Sequence, residues 1–477
     1  MLFNSIAFLI FLPITFSLYW FLLKKSTKGQ NILLLLASYF FYGWWDYRFL
    51  ILIALSTIVD YFIGLSLEKE QVDKKRKLLL GLSLAFNLGL LGFFKYYNFF
   101  IESWIDVWQN IGVQMHASTL NIVLPVGISF YTFQTLSYTI DVYRKKLKPT
   151  HNFINFATFV AFFPQLVAGP IERATNLLPQ FFVKRNFNKE RAISGIHLII
   201  WGLFKKIVIA DGCATYVNAI FSNYETLNTL TLCIGAIYFA FQIYGDFSGY
   251  SDIAIGTARL FGFELMRNFN LPYFSRDVAE FWRRWHISLS TWFRDYLYIP
   301  LGGSRGSKNN QLRNVFIIFL VSGFWHGANW TFIIWGALHA VFFIPLLLRK
   351  QNRRHINQVS KNTLIPSFSE MFKMLKTFIL VTLAWVFFRA DNVSMATDYL
   401  KRLVLNLNFK IEYLTIERYN VEMFALIGIF ILLEWFNRQK EHPFSGKFKW
   451  IKITGAMLML ILFGVYSNHQ EFIYFQF

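Results

Sequence analysis

A chain of 477 residues with 55% hydrophobic, 20% aromatic and only 16% charged side chains falls well below the roughly 25% charge of soluble domains, which excludes an ordinary soluble enzyme. A net charge of +20 would suggest nucleic acid in a soluble protein. Here Lys and Arg gather in short loops between apolar runs, so orientation in a bilayer accounts for them and no nucleic-acid partner is expected. Cys213 and Cys233 have neither CxxC nor metal-ligand spacing, which argues against a disulfide framework or a zinc site.

The apolar runs are continuous rather than alternating and about 20 residues long, so they predict an all-α, polytopic membrane protein. Spans are expected over 2–23, 30–46, 48–67, 78–97 and 119–142, then 192–210, 228–246, 314–329, 331–348, 372–389, 422–437 and 451–467. The first run lacks a basic leader and a small-x-small cleavage site, so it reads as a spanning helix rather than a cleavable signal. Segment 153–172, interrupted by Pro164, Gly169 and Pro170, reads as broken or re-entrant. Segment 248–266 carries Asp252, Arg259 and Glu264, and charge at membrane depth is tolerated only inside protein or along a wet cavity. Together these give 11–13 spanning or re-entrant helices in a single transmembrane domain. Its parts are N-terminal helices (1–152), a motif-bearing core (153–348) and C-terminal helices (349–477), with 349–371 a polar loop and 390–421 an external segment.

Basic loops lie at 24–28, 68–77, 144–148, 184–191, 276–313, 349–361 and 438–452, whereas 98–118 and 211–227 contain no Lys or Arg. The positive-inside bias places the first set in the cytoplasm and the N-terminus outside. Residues 314–348 must then form a hairpin turning near Gly327–Trp330, with His326 far from the cytosolic surface.

Segment 277–298 reads as one helix, with Phe281, Trp285, Leu289, Trp292, Phe293 and Tyr296 on an apolar face and Arg283, His286, Ser290 and Arg294 on another. Two readings stand. A basic, tryptophan-rich helix can lie in the membrane interface and pair with anionic lipid. Alternatively Arg283, Arg284 and Arg294, with Arg305 of GGSRGS, bind an anionic ligand such as a nucleotide pyrophosphate. His326, in SGFWHGANW, is an ionisable group in an apolar hairpin and therefore a functional candidate. An imidazole in such a setting stays in its neutral, basic form and can take a hydroxyl proton as the oxygen attacks an acyl carbon; the alternative is a packing bond across helices, to Asn329. His339 is expected to pack behind the site. In DFSGYSD (Asp246–Asp252), two carboxylates near a membrane boundary could hold a cation, cap a helix or line a polar cavity, with capping and polar packing favoured. For FFPQLVAGPIER (Phe162–Arg173) a structural role is expected.

DFSGYSDIAIG, NFNLPYFSRDVAEFWRRWHISLSTWFRDYLYIPLGG and SGFWHGANWTFIIWGALHA closely resemble the membrane-bound O-acyltransferase family, in its bacterial alginate O-acetyltransferase branch. FFPQLVAGPIER, FQTLSYTIDVYR, LAWVFFRAD and the closing QEFIYFQF resemble it too, so the likeness covers essentially the whole chain. The resemblance implies a multi-helix fold around a membrane-crossing tunnel in the inner membrane. It maps the family's histidine onto His326 as catalytic base and a second polar position onto His286. It also implies acetyl-CoA as donor substrate with no permanently bound cofactor, a periplasmic SGNH-type acetyltransferase partner and a polysaccharide acceptor. Trp325 and Trp330 would then shape the tunnel, with Asn329, His339 and Asp246 behind it. Arg283, Arg284, Arg294 and Arg305 would meet CoA phosphates at the cytosolic mouth, and no metal is required. His286 is expected at that mouth and His326 deep in the hairpin. D-alanyl transfer from a carrier protein, peptidoglycan O-acetylation and, in another class, a proton-coupled transporter or flippase are the alternatives.

Overall fold

The computed structural model describes residues 1–115, 117–167, 169–361, 363–405, 407–408, 419–466 and 472–473. Its regular elements are all helical among the described residues. In chain order the helices are α1 Ile6–Ser17, α2 Thr27–Asp46, α3 Leu50–Lys69, α4 Asp73–Leu91, α5 Tyr97–Asn110, α6 Ile128–Tyr143, α7 Phe153–Ala161, α8 Phe163–Leu166, α9 Ala174–Leu177 and α10 Lys189–Leu203. There follow α11 Asp211–Ser222, α12 Thr229–Leu260, α13 Val278–Arg284, α14 Ile287–Phe293, α15 Lys308–His326, α16 Trp330–Leu348, α17 Phe368–Arg389, α18 Val393–Leu405, α19 Tyr419–Phe436 and α20 Lys449–Phe463. Six helical stretches among the described residues are long and apolar enough to cross a bilayer: Thr27–Lys69, Asp73–Asn110, Lys189–Ser222, Thr229–Leu260, Trp330–Leu348 and Phe368–Arg389. Residues 470–471 and 474–477 of QEFIYFQF, and residues 406 and 409–418 of the 390–421 segment, lie outside the described residues.

Two compact units divide the chain: Met1–Ile196 with Ala254–Met266, and His197–Ile253 with Arg267–Phe477. In the first, α3, α4 and α6 share a buried polar knot in which the Asp60 carboxylate accepts hydrogen bonds from Ser83, Asn87 and Thr139. Segment 153–172 is broken as expected, into α7, α8 and irregular backbone.

The second unit departs from expectation in α12. Segments 228–246 and 248–266 are not separate pieces: one helix of 32 residues runs through the first and on to Leu260. The carboxylates of DFSGYSD therefore cap no terminus. They sit mid-helix and are neutralised by lysines of the preceding π-helical turn, Phe204–Ala210. Lys206 Nζ lies 2.8 Å from Asp246 and 2.7 Å from Asp211, and Lys205 Nζ lies 2.6 Å from Asp252. Pairing is what lets such charge persist in a spanning helix.

The α15–α16 hairpin forms where the loop charges put it. Ser307 caps the N-terminus of α15 and Asn329 that of α16, each accepting a backbone N–H. A Cβ on Gly323 would stand 2.2 Å from the Phe332 carbonyl oxygen, and one on Gly336 would stand 2.3 Å from that of Phe319. The two backbones thus meet through paired small residues, as membrane helices do when they approach closely.

Candidate active site

Segment 277–298 is not one helix. Asp277 caps α13 by accepting the Glu280 N–H, and the helix then stops at Arg284. His286 has φ 43° and ψ 55°, a left-handed conformation unusual for a residue other than glycine. Tertiary bonds produce the break: Asn270 N–H donates to the Arg284 carbonyl at 2.9 Å, and Ile287 N–H donates to the Asn268 carbonyl at 2.8 Å. The face proposed for Arg283, His286, Ser290 and Arg294 consequently does not exist.

The break turns His286 inward, to 0% exposure. Rather than lying at a different depth, its ring centroid is 6.5 Å from that of His326, itself 2% exposed. Trp325 lies against both, at 5.9 Å from His286 and 4.9 Å from His326. Trp335 at 5.0 Å and Phe388 at 5.3 Å complete an aromatic cage around His326. Behind it, Trp282 Nε1 donates to His339 Nδ1 at 3.2 Å. The buried Nε1 groups of Trp285 and Trp335 have no hydrogen-bond partner among the described residues. Burying such a donor without a partner costs about 1–3 kcal/mol.

An apolar cavity of about 450 Å³ lies one helical turn from both histidines. Leu289 and Ser290, one turn past His286, line it, as does Ser322, one turn before His326. Trp282, Phe319 and Phe343 form apolar wall, and Arg294, Lys350 and Arg353 lie at the polar rim. A second, polar cavity of about 530 Å³ is lined by Arg267, Arg283, Arg284, Arg438, Glu280 and Glu441, among others.

The candidate arginines are thereby separated, with Arg294 in the first cavity and Arg283 and Arg284 in the second. Arg283 donates to the carbonyls of Asn352 and His355, and Arg284 pairs with Glu280 at 2.8 Å. Burial alone would raise the Glu280 carboxyl, but hydrogen bonds from Arg276 and the charge of Arg284 hold it below its ordinary value. Arg305 is exposed. Trp330 is 55% exposed. Asn329 donates to the Asp391 carbonyl at 2.8 Å, so both stand apart from the cavity wall. Asp246 serves the lysine network, next to Phe247, whose ring lies 4.6 Å from His286.

Lys350, Arg353, Trp335 and Asn268 were not singled out from sequence. Asn268 opens the quoted NFNLPYF run, and Lys350 and Arg353 stand in the expected basic loop after α16. Trp335 falls in the quoted WGALHA run.

The model of the MBOAT, membrane-bound O-acyltransferase family matches residues 36–375. The protein named "Probable alginate O-acetylase AlgI" of Pseudomonas aeruginosa is 44% identical over 83% of this chain and 73% of its own length. A peptidoglycan O-acetyltransferase of Helicobacter pylori is 35% identical over 100% of this chain and 98% of its own. A teichoic acid D-alanyltransferase of Bacillus subtilis is 31% identical over 48% of this chain and 60% of its own. Matched across most of its length, and with an apolar cavity one turn from a pair of buried histidines, the chain belongs to the membrane-bound O-acyltransferase family and is a multi-pass membrane enzyme.

Proposed function

We propose that the protein moves an acetyl group from acetyl-CoA, at the cytosolic face of the inner membrane, to a hydroxyl of an extracytoplasmic polysaccharide. The observation that carries this reading is the apolar cavity with a cationic rim one turn from His286 and His326. CoA phosphates would meet Arg294, Lys350 and Arg353, while the pantetheine arm follows the apolar wall. With the basic loops cytoplasmic and the N-terminus outside, the rim faces the CoA pool.

His326 takes the proton of the accepting hydroxyl as its oxygen bonds to the thioester carbon. The C–S bond then breaks, and the proton passes to the leaving thiolate to give CoA-SH. Because His326 is 2% exposed, an aromatic side chain of its cage must turn aside as the thioester enters. The accepting hydroxyl belongs either to the glycan or to the serine of an SGNH-type periplasmic partner.

The test is transfer of labelled acetyl from acetyl-CoA in purified membranes. Wild-type protein labels an acceptor, and His326→Ala at equal abundance does not; unchanged labelling in that variant would remove His326 from the reaction. A peptidoglycan acceptor is the second reading. It is favoured by the alignment to the Helicobacter pylori relative, which spans both chains almost end to end. Mild acid hydrolysis of the labelled product, followed by identification of the acetylated sugar by mass spectrometry, separates the two acceptors: labelled muramic acid marks peptidoglycan.

A further inference from the structure

Among the groups packed around His286, Asn268 makes contacts that a packing residue would not need. Its side-chain Oδ1 lies 3.0 Å from His286 Nδ1 and accepts from Ser288 Oγ at 2.9 Å and Ser288 N–H at 3.3 Å. Its Nδ2 donates to Ser251 Oγ at 3.1 Å, and its backbone carbonyl accepts the Ile287 N–H. Asn268 is fully buried.

These bonds decide the orientation of the amide. A backbone N–H can only donate, so the Asn268 atom facing Ser288 N must be the oxygen. An amide oxygen can only accept, so the proton shared with His286 must sit on Nδ1. Nε2 then carries the lone pair. His339 has the opposite arrangement: the indole of Trp282 can only donate, so His339 Nδ1 is bare and its proton is on Nε2.

We propose that Asn268 is a positioning residue, which holds His286 in the left-handed corner and fixes it as the Nδ1–H tautomer with Nε2 as the basic end. The proposal rests on the acyl-transfer reading and extends it to His286, whose ring lies 6.5 Å from that of His326. Its geometric half stands on the amide and the N–H of Ser288 alone. The corner explains why an asparagine is needed: at φ 43° the chain has left its helical ladder, and the Asn268 side chain bonds both the Ser288 N–H and the ring. In this arrangement Asn268 touches neither donor nor acceptor. It sets which imidazole nitrogen is offered to them, a choice made by the partner on the other nitrogen.

The first test is solid-state NMR of ¹⁵N-histidine-labelled protein in bilayers, with the His286 signals assigned by their loss in His286→Ala. A protonated Nδ1 and bare Nε2 are expected for His286, and the reverse for His339. A bare Nδ1 on His286 overturns the proposal. The second is kinetic, with acetyl-CoA as donor. Asn268→Leu is expected to lower kcat about 10²-fold with the donor KM unchanged. Asn268→Asp, which keeps an acceptor at Oδ1, is expected to recover most of that loss. Equal losses in the two variants, or none in either, overturn the positioning role. If Asn268→Leu does not fold, Asn268→Asp and the spectrum still decide. Undiminished kcat in His286→Ala brings down the extension to His286 and the proposal with it. An inactive His286→Ala together with a bare Nδ1 brings down the proposal alone.

Discussion

The two cavities of the second unit are of similar size, about 450 and 530 Å³, and arginine contributes to both. They differ in what their cations are doing. In the polar cavity Arg267, Arg283 and Arg438 donate to backbone carbonyls, and Arg284 is paired with Glu280. In the apolar cavity Lys350 and Arg353 make no ion pair or side-chain hydrogen bond among the described residues, while Arg294, itself exposed, pairs with half-buried Asp295 at 2.7 Å. A guanidinium already bonded to its own protein has to break those bonds before it can bind phosphate. Donor availability, more than the number of basic residues, therefore distinguishes a ligand site from a structural knot.

The largest effect that could break this contrast comes from filling the apolar cavity. Ser322→Trp is expected to reduce acetyl transfer by about 10²-fold or more, through loss of the near-attack geometry, at unchanged membrane abundance. Gln358→Trp, in the polar cavity, should leave transfer intact. Removing the free cations is next: Lys350→Ala with Arg353→Ala should raise the acetyl-CoA KM about 10- to 100-fold, as expected for charge-assisted bonds of about 1.5–3 kcal/mol, with kcat little changed. Arg283→Ala sharpens the comparison from the other side. Its donor KM should stay within about 3-fold of wild type, while the loss of two loop bonds lowers stability by about 1–3 kcal/mol, read as a drop in Tm in detergent.

The smallest effect concerns Glu280. Because its folded-state value lies below the ordinary 4.5, its pairing contributes stability above pH 4.5 and loses that contribution as pH falls below it. The Tm advantage of wild type over Glu280→Gln should therefore shrink on acidification below that point. An advantage that instead grew there would contradict the pairing of Glu280 with Arg276 and Arg284.

The α15–α16 hairpin was legible in the sequence because run length and loop charge are local, one-dimensional signals. His326 and its turn followed from them. The corner at His286 was not legible: WRRWHISLS contains no Gly or Pro, and the bonds that break the helix come from Asn268 and Asn270. The apolar periodicity of 277–298 was real, but tertiary bonds overrode it. The same limit misplaced the DFSGYSD carboxylates, whose partners Lys205 and Lys206 lie about 40 residues upstream in a π-helical turn. Arg283 and Arg294 looked alike as charges, and only their bonding partners tell them apart.

The Gly323–Gly336 contact has a mechanical consequence. With backbone oxygens where side chains would otherwise stand, α15 and α16 have no slack for sliding or for parting, and nothing the size of a sugar can thread the seam. Uncovering His326 therefore falls to the side chains around it, Trp325, Trp335 and Phe388, rather than to a parting of the two helices.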